Sequence, residues 1–172
     1  MGEMKEQWNG YTRDGVLTDV ILTRGEPLPP GIYHISCEAV VKHIDGDYLV
    51  MHRDPDKELY PDRWEIGAAG SALLGETAVD CVKRELYEET GIICDDFTPI
   101  GSFTGDDTQY IMYSFLCVTR CDKNGIKLQK GENIGYKWLN KENFIKFINS
   151  PEIIDKQKER LLPFFKEMGY LE

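Results

Sequence analysis

The stretch TAVDCVKRELYEETG, Thr77 to Gly91, constrains the fold more than any other part of the chain, because it is a helix marked at both ends. The Thr77 hydroxyl can accept an N–H of the first turn, and Asp80, three residues on, stands as the short-armed partner of a capping box. Gly91 supplies the stop, since glycine readily takes the left-handed conformation that closes a helix. Val79, Val82 and Leu86 recur at helical spacing with Ala78 beside them, so this face is expected against a core. The flanks are strand-like. GVLTDVILTRG, between turn signals at Asp14-Gly15 and the proline cluster EPLPPG, gives one or two strands and a loop. IYHISCEAVVKH and YLVMHR flank Asp45-Gly46, a hairpin signal, so an antiparallel hairpin is expected to end near Arg53. A polar loop, DPDKELYPD, leads to a short strand, RWEIG. Beyond the helix, TPIGSFTG, YIMYSFLCVTR and GYKWL are β-rich, with a further hairpin expected at DKNG. The end, from KENFIKFIN through IIDKQKERLLPFFKEMG, is helical, with breaks expected at Ser150-Pro151 and at Pro163. Strands around one central helix, with more helix closing the chain, predict an α/β or α+β fold: a mixed sheet with helices packed against it.

The 172 residues suffice for one domain with its own core. A hydrophobic content of 41% is globular, and no apolar run approaches the ~20 residues of a membrane span. The opening MGEMKEQWNG lacks the apolar centre of a signal peptide, and Glu6 breaks the myristoylation pattern, so a cytoplasmic location is expected. The cysteines, at 37, 81, 94, 117 and 121, are odd in number and lack CxxC spacing, which predicts free, mostly buried thiols and no disulfide framework. His34, His43 and His52 show no metal-ligand pattern. A net charge of -10 disfavours nonspecific binding to nucleic acid or an anionic membrane, but not a small anionic substrate held through a divalent cation.

Glu85, Glu88 and Glu89 crowd the carbonyl end of the helix. The macrodipole there carries roughly half a negative charge, and like charges three or four residues apart cost roughly 0.2 to 0.5 kcal/mol per pair. At about 100° per residue the glutamates fall within an arc of roughly 100° beside Val82 and Leu86, so their side chains can converge at the edge of buried surface. Hard oxygen ligands gathered in this way suit Mg²⁺ or Mn²⁺, and the cation would cancel both penalties. A solvated acidic helix end is the plain alternative. The wider spacing decides against it: GSALLGETAVDCVKRELYEETGI runs glycine, five residues, glutamate, seven residues, then Arg-Glu-aliphatic-x-Glu-Glu-x-Gly-aliphatic. At roughly 6% usage per specified residue, a chance match in this chain is on the order of 10⁻⁸.

Gly70 to Ile92 resembles a complete Nudix box, the signature of hydrolases that cleave nucleoside diphosphates linked to another moiety, and flanking similarities stretch from about Tyr33 to Trp138. The resemblance implies an α/β/α sandwich with a mixed β-sheet, the box as loop, helix, loop, and a catalytic Mg²⁺ or Mn²⁺ bridging box glutamates and diphosphate. It implies a single Nudix hydrolase domain over residues 1–172, with an N-terminal extension (1–32), a core (33–140) and C-terminal helices (141–172). Carried over by position, Glu88 and Glu89 would be the principal metal ligands. Glu85 would be a further ligand or the base that activates water. Arg84 would orient carboxylates, and Glu76 would support the site from the loop. Outside the box, the main-chain carbonyl of Ala69 and the carboxylate of Glu132, six residues before Trp138, would add ligands, although Ala69 stands where many relatives carry glycine. Arg53, at the end of YLVMHR, and Lys57 after it would hold phosphate charge. Tyr110, 18 residues past Ile92, stands near the position of a base-stacking tyrosine in dinucleoside polyphosphate hydrolases.

The implied reaction is attack of an activated water on phosphorus, with a carboxylate taking the proton beside one or more cations. The substrate would be a small diphosphate, a nucleotide derivative, and the residues before Tyr33 could supply a homodimer contact or cover a sheet edge. The marks of ADP-ribose, coenzyme A and NADH pyrophosphatases are missing. RGEPLPPGIYH with DPDKELYPDRWE resembles the Nudix branch near isopentenyl diphosphate isomerase, which moves protons on an allylic diphosphate without hydrolysis. Against that alternative, Cys37 in HISCEAV lacks the histidine neighbour of those isomerases, and the box is intact. A non-catalytic nucleotide-binding Nudix module is a third reading, weakened by the complete set of carboxylates and Arg84.

Overall fold

A computed structural model describes residues 4–172; the first three residues of the polar N-terminal stretch lie outside the described residues. In chain order the elements are β1 (Gln7–Tyr11), β2 (Leu17–Thr23), β3 (His34–His43), β4 (Tyr48–Arg53), β5 (Trp64–Ile66), β6 (Ala68–Ser71), α1 (Ala78–Thr90), β7 (Phe97–Gly105), β8 (Tyr110–Thr119), β9 (Asn133–Leu139), α2 (Lys141–Ile148) and α3 (Asp155–Glu167). Among the described residues no helix is long and apolar enough to cross a membrane.

The main sheet has seven strands and is mixed: β3 runs parallel to β8, and the other pairings are antiparallel. β3 is buried along most of its length, as expected for a strand covered on both faces. Its odd-numbered residues Cys37, Ala39 and Val41 pack with Leu49 and Met51 against Val82 and Leu86 of α1. Val40, with Tyr48, Val50 and Ile66, packs against Phe144 and Phe147 of α2 and Leu161 and Phe165 of α3. Period-two alternation thus feeds two cores, and the result is the expected α/β/α sandwich.

One glycine shapes the site. β5 pairs with β4, β6 pairs with β3, and Gly67 between them turns the chain from one to the other at φ 60°. A Cβ there would overlap the carbonyl of Ala39, so both conformation and space require glycine. The bend lays Ala69 and Gly70 beside α1. The N-terminal hairpin braces the same region: Gln7 O accepts from Leu74 N at 2.8 Å and Asn9 Oδ1 from Gly75 N at 2.7 Å. Arg13 on its turn and Tyr33 both bond Asp106, tying the hairpin to the β7–β8 end of the sheet.

Four expectations are corrected. Val79 does not face the core; it is 41% exposed, and Cys81 takes the buried position on that face of α1. DKNG forms a turn, with Gly125 N bonded to Asp122 O, but no hairpin follows, because β9 pairs with β4 and not with β8. Pro163 does not break α3: it lies on the exposed side, where the Glu159 carbonyl it leaves unbonded can meet water, while Leu161, Phe164 and Phe165 are buried. Finally, Cys37 and Cys81 form a disulfide between β3 and α1, leaving Cys94, Cys117 and Cys121 free. Spacing along the chain could not show it, because 44 residues separate two side chains that the packing of helix on sheet brings together.

Candidate active site

The box helix forms as its sequence dictates. Thr77 Oγ1 accepts from Asp80 N at 3.1 Å while Asp80 Oδ2 accepts from Thr77 N at 3.1 Å, and Gly91 closes the helix at φ 75° with its N–H on Tyr87 O. No basic residue stands in the last turn, so within the helix only Arg84, one turn earlier, can offset the acids there. Glu85, Glu88 and Glu89 open together onto a cleft of about 500 Å³, also lined by Ala69, Gly70, Ser71, Arg84, Glu132, Arg53 and Lys57. The main-chain segment Ala69–Ser71 forms one wall, and a Cβ on Gly70 would overlap the Glu85 carboxylate, so the first glycine of the box is what makes room for that side chain.

Arg84 is the hub. Its Nε and Nη2 donate to Glu76 at 2.6 and 3.0 Å, Nη2 also to Ser71 O at 3.0 Å, and Nη1 to Glu85 at 2.7 Å and Glu88 at 3.1 Å. Burial works against its charge, but the bonds to Glu76 and Glu85 outweigh that and raise its pKa. Glu76 suffers burial too, yet the bonds from Arg84 and from Leu73 N keep its carboxyl below the ordinary value. This is a loop-to-helix clamp: Glu76 fixes Arg84, and Arg84 fixes two of the cleft carboxylates.

Glu85, despite Arg84, and Glu89 are poorly matched to their surroundings. Burial raises Glu85 to about 7, against the pull of Arg84. Glu89 is only 4% exposed, and its hydrogen bond, from Asn133 Nδ2, is a long 3.4 Å. Burial first, then the charges of Glu65, Glu85 and Glu132, hold Glu89 well above the ordinary carboxylate range. Asn133 Oδ1 is itself buried without a partner. A buried carboxylate facing three others, with no cation bonded to it, is a position that asks for a proton or a metal ion.

The oxygen-only donor set fits a hard dication. Among the described residues, though, no three acidic, histidine or cysteine side chains stand in a ready-made ligand shell. Arg84 holds Glu85 and Glu88, and Lys57 is ion-paired with Glu132. Cation binding at these residues therefore competes with the ion pairs.

Of the other residues singled out from sequence, Arg53 lines the cleft, but its donors go to Glu65 (3.0 and 3.1 Å) and to the carbonyls of Tyr60 (3.1 Å) and Leu59 (2.8 Å), pinning the loop that carries Lys57. Tyr110 is not brought to the cleft. Strand parity places it with Ser114, on the face where Ser114 meets Glu38 and Arg160 of α3, away from α1. Sequence reasoning missed Glu65, Asn133, Glu6 and Arg24. A charged residue inside the short apolar strand RWEIG was a usable signal for Glu65; Glu6 and Arg24 gave none.

The mixed-sheet sandwich, with a carboxylate-bearing helix entered from a glycine-containing loop, defines the architecture by which the chain can be compared with known proteins. Residues 33–163 match the NUDIX domain, and the chain belongs to the Nudix family. An uncharacterized Nudix hydrolase of Listeria monocytogenes is 39% identical over 90 residues, 52% of this chain and 53% of that protein. The matched segment thus spans about half the length of such curated relatives. An isopentenyl-diphosphate Delta-isomerase of Rhizobium rhizogenes is more distant, 22% identical over 127 residues, which are 70% of this chain and 61% of that one. A crystal structure of a Deinococcus radiodurans protein shares the fold with a TM-score of 0.69 at 20% identity, covering 86% of this chain and 91% of that one.

Proposed function

We propose that this chain is a metal-dependent pyrophosphohydrolase that splits a phosphoanhydride bond in a small diphosphate, a nucleotide derivative, by attack of water on phosphorus. The observation that carries this reading is Glu89: a buried carboxylate with no cation bonded to it among the described residues, sharing one cleft with Glu85, Glu88 and Glu132. Glu88 and Glu89, with Glu85, Glu132 and the Ala69 carbonyl, would hold Mg²⁺ or Mn²⁺. Such an ion supplies Lewis acidity at a phosphoryl oxygen and makes water more acidic. Glu85, anchored by Arg84 and fitted against Gly70, would be a further ligand or would accept the proton of the attacking water. Arg84 and Glu76 act as positioning residues, since their polar groups are spent on each other and on the cleft carboxylates. Lys57 supplies positive charge for the phosphates.

The isomerase reading asks for a cysteine that exchanges protons with substrate. Cys37 is fully buried and bonded to Cys81, which counts against that role.

The test is a panel of nucleoside triphosphates, nucleotide sugars, ADP-ribose, dinucleoside polyphosphates and isopentenyl diphosphate, with Mg²⁺ or Mn²⁺, for the wild type and Glu88→Gln. The expected result is cleavage of at least one member at a phosphoanhydride and a loss of about 10² or more in rate in the variant, the scale on which misplacing a reacting group is felt. Allylic isomerisation without phosphate chemistry would favour the isomerase reading. Tight nucleotide binding without turnover would favour a binding module.

A further inference from the structure

Among the described residues the cleft is lined by seven acidic and four cationic side chains, and the four cations are not equally available to a substrate. Arg84 is wholly engaged by Glu76, Glu85, Glu88 and Ser71 O. Arg53 is engaged by Glu65, Tyr60 O and Leu59 O. Lys57, its side chain 20% exposed, is packed onto Glu132.

Arg24 differs on both counts. It follows directly on β2, its side chain is 61% exposed, and its one side-chain bond among the described residues is from Nη1 to Glu6 Oε2 at 3.0 Å. Among the described residues Nε and Nη2 have no partner, which leaves a planar donor edge of the kind that grips phosphate oxygens. Its backbone is not loose: Arg24 N donates to Glu6 O at 2.9 Å, and β1 next to it is bonded to the box loop at Leu74 and Gly75. The hairpin thus anchors the Arg24 backbone at the cleft wall, and Glu6, the partner of its guanidinium, also lines the cleft.

We propose that Arg24 is a substrate-binding residue, donating to the non-bridging oxygens of a phosphoryl group, and that the N-terminal hairpin is therefore a specificity element for substrates with an extended phosphate chain. Glu6 holds the guanidinium until a phosphate displaces it. This inference rests on the pyrophosphohydrolase reading, which places the substrate's phosphates in this cleft.

The experiment measures binding of inorganic tripolyphosphate by calorimetry in excess Mg²⁺, and KM and kcat on the best nucleotide of the panel, for wild type, Arg24→Ala, Arg24→Lys and Glu6→Gln. Losing one charge-assisted contact to phosphate is expected to weaken tripolyphosphate binding and raise KM by about tenfold or more in Arg24→Ala, with kcat within about threefold. Arg24→Lys should fall between. Glu6→Gln breaks the same ion pair but keeps the cation, so it should bind as tightly as the wild type or tighter. Binding within about twofold of wild type in Arg24→Ala, with catalysis intact, overturns this inference alone. An equal loss in Glu6→Gln would also overturn it, because the effect would then run through the hairpin's shape. A wild type that neither binds tripolyphosphate nor cleaves any panel member overturns this inference and the pyrophosphohydrolase reading together.

Discussion

Replacing Glu89 by glutamine separates what this residue does for stability from what it does for function. Its side chain is buried, faces Glu65, Glu85 and Glu132, and has one long hydrogen bond, from Asn133 Nδ2. Glutamine keeps the shape and can still accept from Asn133, but carries no charge. A poorly satisfied buried group costs about 1–3 kcal/mol, more when charged, so without metal Glu89→Gln should be more stable than the wild type by about that amount. For a chain of this length each kcal/mol is worth roughly 2–4 °C, which predicts a Tm rise of about 2 to 12 °C in EDTA. Added Mg²⁺ works against that advantage and cancels most or all of it. At 100 times its Kd a ligand stabilises by about 2.7 kcal/mol, and the wild type gains this while the variant gains little. Thermal melts followed by circular dichroism, with EDTA and then with a Mg²⁺ series, measure both effects. A variant less stable than the wild type in EDTA, or one with the same response to Mg²⁺, would refute the reasoning.

Gly70→Ala puts a methyl group where the Glu85 carboxylate lies; that carboxylate ends a flexible side chain and can move, so turnover should fall by about tenfold or more while the Tm changes little, a split that steady-state kinetics and melting reveal together. On the other face of the sheet, Arg160 bonds the fully buried Glu38 through Nε (3.2 Å) and Nη2 (2.8 Å). Arg160→Met strands that carboxylate and should cost about 3–5 kcal/mol in urea denaturation, partly recovered by adding Glu38→Gln. Asp106, bonded by Arg13 and Tyr33, has its carboxyl lowered from 3.8 to about 2, so its stabilising contribution is complete above the unfolded value and is lost as pH falls through about 2. An NMR titration of the Asp106 carboxyl should show that midpoint, and Arg13→Ala should move it upward.

The parts of the fold that were legible in the sequence are those governed by neighbours along the chain. The cap at Thr77 and the stop at Gly91 follow from helix geometry within a few turns, and the structure shows both; Glu85, Glu88 and Glu89 line one cleft, but among the described residues they do not close into a ligand shell. The Arg84 clamp on Glu76 spans eight residues and was within reach of the motif's spacing. What escaped depends on distant packing. β9 crosses the molecule to pair with β4, which no signal at DKNG could reveal. Tyr110 lies on the side of β8 away from α1, and its face is set by the register with β3. Val79 sits on the side of α1 turned from the sheet, a matter of helix rotation by one position. Arg24 reaches the cleft because the β1–β2 hairpin docks on the box loop, a contact between segments 66 residues apart at Asn9 and Gly75.

The most direct test of the central claim is a Mn²⁺ titration monitored by the EPR signal of the free ion, with wild type, Glu88→Gln and Glu89→Gln. The wild type should remove Mn²⁺ from solution in a saturable step that Mg²⁺ reverses, and both variants should lose that step. Uptake unchanged in both variants, or hydrolysis by a wild type that takes up no Mn²⁺, would contradict the assignment of these glutamates to a metal centre.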